Sequence, residues 1–152
     1  MLSLMTNHSV PTINPEYIQA IIKRINRKHW WHVMPIDPQA YKKRGKFYSS
    51  SFDEAEFYGH SGRSERVTVY RPLAGDEAHI EMVLFGYYRS GELVRVRSGA
   101  ALIKARLALD ARMKKAAVAA GYDCIALMTP RAWDEFLELG KLPKSVELNV
   151  LG

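Results

Sequence analysis

Gly45-Lys46-Phe47-Tyr48-Ser49-Ser50-Ser51-Phe52-Asp53-Glu54-Ala55-Glu56-Phe57-Tyr58-Gly59 holds two kinds of local order in quick succession. Gly45 opens a strand over Lys46–Ser50, where Phe47 and Tyr48 suit a pleated surface. Asp53–Tyr58 reads as a short helix that Gly59 closes. The rest of the chain repeats this alternation. Short strands interrupted by short helices favour an α+β domain over a doubly wound parallel sheet.

Upstream, residues 1–13 read as a loose leader, and 14–152 as a single domain. Asn14 can cap a helix whose first position is Pro15, and Tyr17, Ile18, Ile21, Ile22 and Ile25 form its apolar stripe. Trp30–Met34 reads as a strand stopped by Pro35. Downstream, His60–Ser64 reads as a polar loop, and Arg66–Tyr70 as a strand ended by Pro72. Ile80–Tyr88 fits a strand or a helix, and Glu92–Arg97 alternates like a strand. Leu102, Ala105, Leu109, Met113, Ala116 and Ala120 mark one helical face ahead of a cap at Gly121. Tyr122–Met128 then reads as a buried strand, Thr129-Pro130 as the start of a helix reaching Leu139, and Ser145–Leu151 as the last strand.

Composition narrows the function classes. Hydrophobic residues make up 47% of 152, enough for a packed core. No apolar run approaches the ~20 residues of a membrane helix, and the start of the chain does not read as a signal peptide. Cys124 is the lone cysteine, so an intramolecular disulfide is excluded and a reducing, cytoplasmic setting is expected. Its apolar surroundings read as those of a buried, inert thiol. Lys and Arg number 22 against 16 Asp and Glu, a net charge of +6. That balance permits a nucleic acid or nucleotide as partner and fits equally a protein that is simply basic. Lys42-Lys43-Arg44 is the densest cationic run and reads as a solvated face.

Phosphate-cradling glycine motifs and the Gly-x-Ser-x-Gly elbow are absent, and five histidines with one cysteine give no zinc spacing. No metal site is expected. Three polar residues instead stand inside strand patterns: His32 between Trp31 and Val33, Tyr48 ahead of three serines, and Glu147 between Val146 and Leu148. Alternation along the last strand gives Val146, Leu148 and Val150 one face, and Ser145, Glu147 and Asn149 the other.

The segment Gly45–Gly59 resembles part of the ADP-ribosyltransferase superfamily, in which a glycine leads into a strand bearing a tyrosine, followed by a short helix with an alanine and a second aromatic, here Ala55 and Tyr58. Trp31-His32-Val33 upstream and Val146-Glu147-Leu148 downstream match that family's histidine and glutamate strands, and Gly121-Tyr122-Asp123-Cys124-Ile125 resembles a further strand of its small members. The order His, Tyr, Glu is that of the branch containing diphtheria-type toxins and poly(ADP-ribose) polymerases. Val33 and Met34 depart from the Gly then Ser or Thr that often follows the histidine, and Ser145 departs from the Glu or Gln of enzymes that modify arginine.

The resemblance implies a split, mainly antiparallel sheet around a cleft. It implies NAD as co-substrate and transfer of ADP-ribose to a protein or nucleic acid. Glu147, His32 and Tyr48 become the catalytic candidates, and His32, Tyr48, Ser49 and Tyr58 the NAD-binding ones. The residue types suit the chemistry, because cleaving the nicotinamide–ribose bond creates an oxocarbenium-like centre that a fixed carboxylate stabilises. Tyr48 would stack on the nicotinamide at a pocket wall. Removal of an RNA 2′-phosphate with NAD, and a non-catalytic basic binding or inhibitor module, are the competing expectations.

Overall fold

Asn14 starts the first helix as its side chain accepts a hydrogen bond from the Glu16 N–H at 2.9 Å, with Pro15 at the first position and Arg24 and Arg27 in the last turn. The structure, a computed structural model, describes residues 11–34, 44–50, 60–87 and 99–152. In chain order these contain α1 (Pro15–Arg27), β1 (His29–Met34), β2 (Lys46–Ser49), β3 (His60–Arg66), β4 (Pro72–Gly75), α2 (Glu77–Phe85), α3 (Gly99–Ala119), β5 (Cys124–Leu127), α4 (Pro130–Leu139) and β6 (Glu147–Val150). None of the described helices is long and apolar enough to cross a membrane.

The strands form one six-stranded mixed sheet in the order β3-β1-β2-β6-β5-β4. The β4–β5 pair is parallel and every other pair antiparallel. The fold is therefore mixed α/β, compatible with α+β. Helices cover both faces. On one, Ile21 and Ile25 of α1 and Trp133 and Phe136 of α4 pack with Trp30, Tyr48, Ala74, Ala126 and Leu148. On the other, Ile80 of α2 and Leu109, Met113 and Ala117 of α3 pack with Leu73, Ile125 and Leu151.

This two-sided burial corrects several expectations. His60–Ser64 is no loop; it belongs to β3, which runs to Arg66 and pairs with β1 from His29↔Arg66 to Met34↔His60. An edge strand can be polar because only one of its sides is paired, so hydropathy conceals it. Val67 and Val69 are buried beyond the end of that strand, with Val69 tied through both its N–H and C=O to the Asn26 side chain. Pro72 begins a strand rather than ending one: β4 is buried along its whole length, and a proline is tolerated at a first strand position. A short parallel strand buried on both faces has no alternation to read. Ile80–Tyr88 resolves as helix α2 up to Phe85, capped by Asp76 through the His79 N–H at 2.8 Å and ended by Gly86 in the left-handed region. The expected strand Glu92–Arg97 and helix Asp53–Tyr58 lie outside the described residues.

Candidate functional site

β1, β2 and β6 lie side by side, and the residues singled out in the sequence meet there. Directly opposed residues of an antiparallel pair project from the same face. His32 opposes Tyr48, and their ring centroids are 5.3 Å apart. Tyr48 is 4% exposed and belongs to the core beneath α1 and α4. It is thus enclosed rather than set at a pocket wall. Its hydroxyl donates to Glu65 Oε1 at 2.5 Å, and Lys46 Nζ donates to the same oxygen at 3.2 Å. Lys46 also sits 5.8 Å from the Tyr48 ring centroid.

The electrostatics of this cluster follow from those contacts. The Tyr48 hydroxyl, aided by Lys46, holds the Glu65 carboxyl below its ordinary value against an opposing contribution from burial. Burial, then the Lys46 charge, lowers the His32 pKa, with Glu65 opposing. His32 is accordingly a neutral imidazole at pH 7, able to donate from one nitrogen and accept at the other.

The next residue along β2 faces the other way. Ser49 opposes Glu147 of β6 and Trp31 of β1, and Glu147 in turn opposes Leu127 of β5. Ser49 is 1% exposed, and its Oγ has no hydrogen-bond partner among the described residues. Glu147 is half-buried. Its face of β6, expected from alternation to be the polar one, is not open to solvent: Asn149 is 7% exposed beneath the α2–α3 layer.

A buried polar frame holds β2 in place on this side. Asn149 Nδ2 donates to the Arg44 carbonyl at 2.8 Å. Gly45 turns there with φ of +94°, and a Cβ at this position would collide with Asn149 Oδ1. Glycine alone meets both demands. Arg44 pairs with Asp110 at 3.6 Å, and Arg106 reaches Glu77 at 2.7 Å and Asp110 at 3.8 Å. Burial raises the Asp110 pKa even with both guanidinium groups beside it. The Arg44 charge is therefore directed inward to α3 instead of onto a solvated face. Lys42 and Lys43 lie outside the described residues, as does Tyr58.

The structure thus brings His32 and Tyr48 together on one face and Ser49 and Glu147 on the other, one register step apart. Sequence reasoning missed Glu65 and Asn149. Glu65 falls in a polar stretch whose strand character comes only from pairing with β1, whereas Asn149 carried a signal, a polar residue between Leu148 and Val150. Cys124 is fully buried, and burial pushes its thiol pKa up, as for an inert thiol. Among the described residues no group of three or more His, Cys, Asp and Glu could hold a metal ion. Comparison with protein-family models, curated proteins and solved structures found nothing that matches this chain.

Proposed function

We propose that this protein transfers ADP-ribose from NAD to a macromolecular acceptor, with the reacting centre at the rim of the sheet where β2 ends and β6 begins. One observation carries the reading: Ser49, whose buried Oγ has no partner among the described residues, stands directly opposite Glu147. An unsatisfied buried hydroxyl is costly unless something engages it, and a ribose hydroxyl has matching chemistry. The finer fold expected of such an enzyme, a split sheet around a cleft, belongs to this proposal. The described strands form one continuous sheet, and its mainly antiparallel pairing is the part of that expectation they support.

In this reading the bond between nicotinamide nitrogen and ribose C1′ breaks, nicotinamide leaves with the bonding electron pair, and the acceptor's nucleophile adds to C1′ and loses its proton. The Glu147 carboxylate stabilises the positive charge at C1′ more in the transition state than in the ground state. Ser49 engages the ribose. Tyr48, locked by Glu65, fixes the backbone that aims Ser49, while His32, opposite Tyr48 on the other face of the sheet, supports that strand pairing and takes no part at the reacting centre.

The test is incubation of labelled NAD with protein and nucleic-acid acceptors, comparing wild type with Glu147→Gln at equal folded concentration. The variant is expected to lose on the order of 10²-fold in labelling while NAD affinity changes much less. Equal labelling removes Glu147 from the reaction. No NAD turnover by the wild type returns the protein to the class of non-catalytic binding modules.

A further inference from the structure

Arg24 lies in the last turn of α1 and Lys28 caps its C-terminus, its N–H donating to the Arg24 carbonyl, while Lys144 approaches them from the segment leading into β6. The three converge on a surface groove. Its floor includes Trp30 and Val146, 2% and 6% exposed, and Ser50 lines it while its Oγ accepts from the Val146 N–H at 3.3 Å. Lys28 Nζ lies 5.7 Å from the Trp30 ring centroid, which holds this ammonium over the groove. None of the described residues lining the groove is acidic. The ion pairs among the described residues engage Arg44, Lys46, Arg106, Arg131 and Lys141, and leave these three cations out.

We propose that this groove binds the phosphodiester backbone of a nucleic acid. The groove is a shallow surface depression with almost no enclosed space, unlike the roughly 300–1,000 Å³ of a small-molecule site. A polymer lying across the surface fits better than a ligand enclosed within it. A membrane surface does not fit, because the apolar residues of α1 it would need, Ile21 and Ile25, are each 1% exposed and already in the core. A nucleic-acid strand carries about one charge per 3.4 Å, and Arg24 and Lys28 lie about 6 Å apart along the helix axis. That separation spans nearly two charge repeats, so the two cations reach different phosphates of one strand, and the Arg24 guanidinium can grip one of them bidentately. Ser50 and Val146 of the groove flank the ends of β2 and β6, so a strand held there runs along the same rim of the sheet as Ser49 and Glu147, on the opposite face. The binding itself stands whether or not the chain turns over NAD.

The measurement is fluorescence anisotropy of labelled single-stranded and duplex oligonucleotides with the full chain, without NAD. Arg24→Gln/Lys28→Gln/Lys144→Gln is compared with Lys104→Gln/Arg112→Gln/Lys115→Gln, which removes the same charge from exposed positions on α3. The groove variant is expected to bind at least ~10-fold more weakly than the α3 variant. For the single strand, its log K against log salt should flatten by about 2, from ~0.7 per phosphate contact. Equal weakening by the two variants overturns the proposal. So does polyglutamate of matched charge displacing the oligonucleotide as well as unlabelled oligonucleotide does, which would assign the groove to an acidic protein. Lys144→Glu alone, at an exposed position, leaves the fold untouched and must itself weaken binding several-fold; unchanged affinity is equally fatal.

Discussion

Tyr48 is where packing and chemistry separate most cleanly. Its ring lies in the core at 4% exposure and its hydroxyl donates to Glu65 at 2.5 Å. Tyr48→Ala removes a buried aromatic and opens a cavity beneath α1 and α4, a change that costs about 3–5 kcal/mol. Against a total stability of ~5–15 kcal/mol, that is a large fraction. Tyr48→Phe keeps the packing and removes only the hydrogen bond. A bond to a charged group contributes ~1.5–3 kcal/mol when buried, but the Glu65 side chain is 40% exposed, so the loss should be nearer 1 kcal/mol. The pH dependence identifies the partner. A carboxyl whose folded pKa is lowered stabilises the fold above its unfolded value, and that stability is lost as pH falls through the folded value. The gap between wild type and Tyr48→Phe is therefore expected in full at pH 7 and should narrow as pH drops below the ordinary glutamate value of 4.5. Urea unfolding at pH 7 and pH 3 measures both variants. A Tyr48→Ala protein within ~1 kcal/mol of wild type would place the ring outside the core, contrary to the packing argument. A Tyr48→Phe deficit that is the same at both pH values would rule out Glu65 as the partner.

Ser49→Ala removes a buried hydroxyl with no partner among the described residues, so its melting temperature should hold or rise slightly, while NAD affinity measured by calorimetry falls. Unchanged affinity would take Ser49 out of the site. Gly45→Ala meets both a φ of +94° and a collision with Asn149, and is expected to cost more than ~2 kcal/mol by chemical denaturation. A neutral result there would mean that the Arg44–Gly45 corner relaxes freely and does not hold β2.

What could be read from the sequence was whatever local chemistry decides. Asn14-Pro15 and Thr129-Pro130 start helices because their side chains cap the first turn wherever those helices pack, and Gly140 stops α4 by accepting the left-handed region. Trp30–Met34, Lys46–Ser50 and Tyr122–Met128 read as strands because aromatic and branched side chains crowd them, and β1, β2 and β5 form within a residue or two of those bounds. Two features could not be read this way. β3 and β4 exist because neighbours pair with them: a polar edge strand and a proline-led buried strand satisfy their backbones through β1 and β5, and neither leaves a hydropathy period behind. The faces of β6 likewise depend on what covers the sheet. Alternation along the strand correctly separates Leu148 from Glu147 and Asn149, but only the layer of α2 and α3 buries Asn149 and half-buries Glu147 on the polar face. The sequence by itself therefore determined which residues alternate, which cap and which carry charge, since these depend on neighbours a few bonds away. Tertiary structure alone decided that Tyr48 meets Glu65, that Ser49 meets Glu147 and that Arg24, Lys28 and Lys144 share a groove, because those distances are set by strand order and helix packing, which no local pattern encodes.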